Sequence, residues 1–162
     1  MSAPGIGNSD PYTWRSGATT GGLLFWDTRN DTVAIRARTE AAIAETKRLR
    51  GLVAGAANFY ILANLDEFGW SDFGPDLSTW AAWQWAGGAG GAAMFFRRSN
   101  ASAPTITVSL FEIDHAARYA VSMSATYTRA TNRTMLGAEL AELTVGLPQP
   151  RASMLLEYAR IG

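Results

Sequence analysis

Residues 79–98 read T-W-A-A-W-Q-W-A-G-G-A-G-G-A-A-M-F-F-R-R: two aromatic-rich runs on either side of a glycine-rich centre. In an extended chain successive side chains alternate between faces. Ala81, Trp83 and Trp85 therefore share one face, and Trp80 shares the other with Gln84. Beyond the centre, Ala93, Phe95 and Arg97 alternate with Met94, Phe96 and Arg98. The run Ala86–Gly91 has four glycines and no bulky side chain, so it can turn but cannot pack. The whole predicts a β-hairpin. Apolar bulk on both faces predicts that the hairpin is buried between layers.

Composition bounds the rest. A chain of 162 residues, 48% hydrophobic and 17% charged, suits one domain or a small domain with a remnant of another. Lys+Arg and Asp+Glu balance at 14 each, so no net field favours nucleic acid or an anionic membrane. There is no cysteine and one histidine, His115, which excludes disulfides, thiolate sites and a histidine metal cluster within the chain. No spanning segment or signal peptide is predicted, and no cofactor is implied. Asn30, Asn100 and Asn132 each begin an N-glycosylation sequon, a short pattern that often arises by chance, and the compartment stays open.

Outward from the hairpin the pattern is β. Phe59–Ala63, Thr105–Phe111 (Ile106, Val108 and Leu110 inward), Arg118–Ala125 (Tyr119, Val121 and Met123 inward) and Met154–Tyr158 read as strands. Leu136–Leu143 reads as one or two helical turns. Upstream, Met1–Asp10 reads as disordered, Asp10–Ser16 opens ordered structure, and Gly21–Asp27 reads as a short strand or barrel-edge turn. Val33–Val53 is the one strong helix, capped by Asp31 or Thr32 and ended near Gly55. Its apolar stripe is Ile35, Ala42, Ile43, Leu49 and Val53, with Arg36, Glu40, Lys47 and Arg48 on the wet side. The segment carrying it contains no sheet large enough to receive it. Several antiparallel strands at short spacing predict a β-sandwich.

Four groups could carry chemistry. Asp66, Glu67, Asp72 and Asp76 lie among Phe68, Trp70 and Phe73, the mixture of rings and carboxylates that holds a sugar; the plainer reading is a solvated loop covering the sheet edge. Asp114-His115 could be a base and its orienting carboxylate, but adjacent residues rarely face each other, and a surface turn is the simpler reading. The glycine run lacks the Lys-Ser/Thr and following helix of a phosphate loop. Asp10, Tyr12 and Arg15 precede a barrel-type strand, where polar groups often line a pocket.

From Asp10 onward the chain resembles the C-terminal part of α-galactosidases of glycoside hydrolase family 36. The residues that carry the resemblance are Asp10-Pro-Tyr-Thr-Trp-Arg-Ser, Gly22-Leu-Leu-Phe-Trp-Asp, Ile43-Ala-Glu-Thr-Lys-Arg-Leu-Arg, Ala57-Asn-Phe-Tyr-Ile-Leu, Trp80-Ala-Ala-Trp-Gln-Trp, Phe95-Phe-Arg-Arg, Tyr119-Ala-Val, Leu136-Gly-Ala-Glu-Leu and Gly146-Leu-Pro. Thr46 stands where the family has an aromatic residue, and the turn after Trp85 lacks the family's charges and proline.

The resemblance implies a mainly β chain: an antiparallel β-sandwich over residues 58–162, preceded over residues 1–57 by a tail, a short strand and one long helix left from a (β/α)8 barrel. The parent reaction would be hydrolysis of terminal α-galactosides with retention, through a nucleophilic and an acid/base carboxylate. Both belong to earlier barrel strands that this chain lacks, so the chain alone is expected to be inactive. Asp10, Tyr12 and Arg15 would border the parent's active site. Trp80, Trp83, Trp85, Phe95 and Phe96 would be sandwich core, and Ile43 and Leu49 would face the barrel. A lone chain would leave that helix stripe wet and self-associate through it. The partner in the parent is an α-galactoside carbohydrate, with no nucleic acid and no membrane. Two alternatives are a free-standing carbohydrate-binding module with Asp66, Phe68, Trp70 and Asp72 as its platform, and a chain completing a barrel in trans.

Overall fold

The structure is a computed structural model that describes residues 10–18, 31–63, 79–130 and 132–162. The elements run α1 (Pro11–Ala18), α2 (Val33–Gly55), β1 (Asn58–Ala63), β2 (Trp80–Gly87), β3 (Gly90–Arg97), β4 (Thr105–Ser109), β5 (Arg118–Ser124), β6 (Arg133–Leu136), α3 (Gly137–Ala141), β7 (Glu142–Gly146) and β8 (Ala152–Ile161). The fold is mainly β with antiparallel sheets.

The expected hairpin is β2–β3, in register from Trp80↔Arg97 to Gly87↔Gly90. Its turn needs only Gly88 and Ala89, and Gly88 adopts φ +46°, which a residue without Cβ reaches at little cost. The hairpin sits within a six-stranded sheet of order β1-β2-β3-β8-β5-β6. A second sheet pairs β4 with β7.

Alternation along β2 and β3 divides the core in two. Trp80, Ala82, Ala93 and Phe95 face the β4–β7 sheet and pack with Val108, Leu140, Val145 and Leu156. Ala81, Trp85, Ala92, Met94 and Phe96 face the other way and pack with Leu49 of α2. The aromatic residues expected in one sandwich core thus belong to two layers, and Trp83 is only half buried.

α2 corrects a second expectation. Thr32 caps it as predicted, accepting a hydrogen bond from the Ile35 N–H at 3.3 Å. However, the helix rests on the sheet of its own chain. Its buried line is Thr39, Ala42, Glu45 and Leu49, while Ile43 is 40% exposed and does not share that line. Arg48, assigned to the wet side, donates through Nε and Nη2 to the two oxygens of Glu157 on β8, both at 2.9 Å. Of the expected stripe, Ala42 and Leu49 are covered by the chain's own sheet, while Ile43 and Val53 stay exposed.

Pro11–Ala18, read from the sequence only as the opening of ordered structure, is a helix. β8 lies inside the six-stranded sheet, between β3 and β5. The apolar segment 136–143 contains the expected helical turn, α3, joined directly to β6 before it and β7 after it. The readings of Met1–Ser9, Gly21–Asp27 and Leu65–Pro75 lie outside the described residues.

Candidate functional site

Asp10, Tyr12 and Arg15 come together on α1. Asp10 caps the helix, its Oδ1 accepting from the Thr13 N–H at 3.0 Å. Pro11 suits the first helical position, where a missing N–H costs nothing. Tyr12 is turned onto the sheet, its ring edge-on to Phe96 at 5.5 Å, with the Arg151 guanidinium 5.8 Å from its centroid. Burial raises the Tyr12 pKa, partly offset by the nearby Arg98 and Arg151 charges.

Arg15 is 1% exposed. Nε and Nη2 donate to the two Glu45 oxygens at 2.7 and 2.8 Å, a bidentate pair. Nη1 reaches the Ser124 carbonyl at 3.2 Å and the Ser153 hydroxyl at 3.2 Å, and Nη2 also reaches the Thr126 carbonyl at 2.8 Å. The Tyr127 ring lies 5.8 Å from its Cζ. Burial pushes the Tyr127 hydroxyl well above its ordinary pKa. One side chain thus joins α1, α2, β5 and β8. The ion pair and carbonyls that hold the guanidinium make it a structural clamp within this chain.

The remaining sequence candidates divide cleanly. Asp66, Phe68, Trp70 and Asp72 lie outside the described residues. His115 is exposed in a turn. Its neighbour Asp114 accepts from the Ala116 N–H at 3.0 Å and pairs with Arg160 at 3.1 Å, so the two do not form a dyad through those contacts. Among the described residues no group of three or more His, Asp or Glu side chains could hold a metal ion, and no helix is long and apolar enough to cross a membrane.

A cluster that sequence reading missed lies where β1 meets the loop after β4. Tyr60 and Phe111 stack with centroids 4.4 Å apart and planes 13° from parallel. Glu112 Oε1 accepts from the Tyr60 hydroxyl at 2.6 Å and from Asn58 Nδ2. That hydrogen bond raises the Tyr60 pKa. Glu112 itself holds φ +56°, a left-handed conformation uncommon for a residue with a Cβ. Phe111 is fixed by Gln84: the Phe111 N–H donates to Gln84 Oε1, and Gln84 Nε2 donates to the Phe111 carbonyl, both at 2.9 Å. No local pattern joins residues 58–60 to 111–112; they meet because Gln84, opposite Tyr60 in the β1–β2 register, holds the Phe111 backbone of the loop after β4.

The sequence matches no protein-family model and no curated protein.

Proposed function

We propose that the chain is the C-terminal, non-catalytic part of an α-galactosidase-like glycoside hydrolase: the end of the catalytic barrel followed by a β-sandwich. The supporting observation is that the separated motifs carrying the resemblance touch one another. Arg97 of Phe95-Phe-Arg-Arg donates through Nη1 to the carbonyls of Leu147 and Pro148, of Gly146-Leu-Pro, both at 2.9 Å. Tyr119 of Tyr119-Ala-Val packs with Trp80 of the tryptophan motif and Leu140 of Leu136-Gly-Ala-Glu-Leu in one core. Trp14 of the first motif donates its indole N–H to Thr46 of the helix motif at 2.9 Å, which gives the non-aromatic residue there a job.

On this reading the two sheets facing each other across one apolar layer are the sandwich. Residues 1–57 are the end of the barrel, tied back to the sandwich by the Arg15 contacts with Ser124, Thr126 and Ser153 and by Arg48–Glu157. The parent would cleave terminal α-galactosides with retention, using two carboxylates supplied upstream.

The test is the upstream reading frame. If it encodes barrel strands with two carboxylates, the joined protein should release galactose from p-nitrophenyl α-galactoside with retention, and the 162-residue chain alone should release none. Hydrolysis by the chain alone, or a joined protein without hydrolysis, would overturn the proposal.

A further inference from the structure

The geometry points to the rim formed by Asn58, Tyr60, Phe111 and Glu112 as a surface binding site for a neutral pyranose. It stands on these residues and not on the glycosidase reading, so either can fail without the other.

Phe111 presents a rigid aromatic surface. It is 45% exposed, its backbone N–H and carbonyl are both held by the buried Gln84, and Tyr60 stacks behind it. A ring fixed in place loses little entropy when a ligand settles on it. The C–H face of a pyranose is flat and apolar and suits such a surface. Beside the ring, Glu112 has one carboxylate oxygen oriented by Tyr60 and Asn58, while no described residue engages Oε2. A fixed carboxylate oxygen next to a ring accepts a sugar hydroxyl and disfavours anions.

The backbone supplies an independent argument. At φ +56° a glycine would fit without strain, yet the residue is glutamate. Its carboxylate accepts two exposed hydrogen bonds from β1, both on Oε1. A cation could use the same carboxylate, but cation sites gain from several ring faces, whereas here one ring is stacked flat on its neighbour.

The test is amide NMR on the 162-residue chain, titrated with methyl α-galactopyranoside, methyl α-glucopyranoside and, as the cationic probe, choline. At least one glycoside should shift the amides of Asn58, Tyr60, Phe111 and Glu112, with Kd roughly 1–10 mM. Phe111→Ala and Glu112→Gln should each weaken binding about tenfold or more. Glu112→Gly should abolish binding while the thermal midpoint holds or rises, which separates a ligand role from a folding one. The proposal is overturned if neither glycoside shifts these amides, if choline alone does, or if Glu112→Gly binds as the parent chain does.

Discussion

Two buried arginines stabilise this protein in different ways. Arg97 has five hydrogen bonds, all to backbone carbonyls, which gather the turn after β3 and the segment after β7 around one planar cation. Arg15 has a carboxylate partner as well. Removing one member of a buried pair strands the other, which typically costs about 3–5 kcal/mol, whereas replacing both by apolar groups is often near neutral. Glu45→Ala should therefore lower stability by about that amount in urea titration, and Arg15→Met with Glu45→Leu should recover most of it. Equal destabilisation by the single and double variants would show that the carbonyl contacts, not the ion pair, dominate. Tyr158 sets a pH limit. Burial pushes its hydroxyl up to about 12, against an ordinary 10.0. Its contribution is intact below about pH 10 and is lost as pH rises towards 12, because the unfolded chain releases the proton first. The unfolding free energy from urea titration should fall across that interval by up to roughly 2–3 kcal/mol, and Tyr158→Phe should flatten the fall, with Tyr127, Tyr12 and Tyr60, also raised, accounting for what slope remains.

At the scale of elements, the strands were legible and the helix face only in part: Ala42 and Leu49 of the expected stripe are buried, Ile43 is not. Ile106, Val108 and Leu110, or Tyr119, Val121 and Met123, alternate strictly, and a period of two leaves one solution for which face is inward. α2 has apolar residues on more than one side, so periodicity alone selected Ile43 and overlooked Thr39 and Glu45. Those two are buried because Glu45 meets Arg15 and the Thr39 hydroxyl donates to the Ile35 carbonyl at 2.9 Å. Partners of that kind, one of them 30 residues away, cannot be read from a helical wheel. Leu49→Ala should cost roughly 2–5 kcal/mol in denaturant unfolding, and Ile43→Ala less than about 1 kcal/mol. Equal costs would return the helix to the orientation the sequence suggested. α3 makes a sharper case. A Cβ at Gly137 would overlap the Asp114 carbonyl oxygen, a backbone atom that cannot swing away. Gly137→Ala should destabilise by more than the loss of a helix cap, above roughly 2 kcal/mol, while Ala138→Ser at the exposed neighbour should cost little. The glycine was visible in its motif; the carbonyl against it was not.

At the scale of the whole molecule, the order of strands in the sheet makes the end of the chain central to its stability. β8 pairs with β3 along Gly90↔Ala159 to Arg97↔Ala152 and with β5 along Arg118↔Ile161 to Ser124↔Leu155. Without it the six-stranded sheet separates into β1-β2-β3 and β5-β6, and Leu155 and Leu156 leave both apolar layers at once. On the helical side Arg48 loses Glu157, and Arg15 loses Ser153 while keeping Glu45. Sequence alternation identified the strand but could not place it, because an interior and an edge strand differ in what lies beside them and not in their own pattern. A chain ending at Arg151 should therefore fail to fold as a unit: no cooperative thermal transition by circular dichroism, and hydrogen exchange fast throughout, including in the β2–β3 hairpin. For the same reason folding of the full chain should be slow for its size, in milliseconds to seconds, because the β3–β8 pairing that completes the sheet joins strands far apart in the chain. A truncated chain that keeps a cooperative transition would show that the hairpin and β4–β7 form a core without β8, and that the two layers are separable.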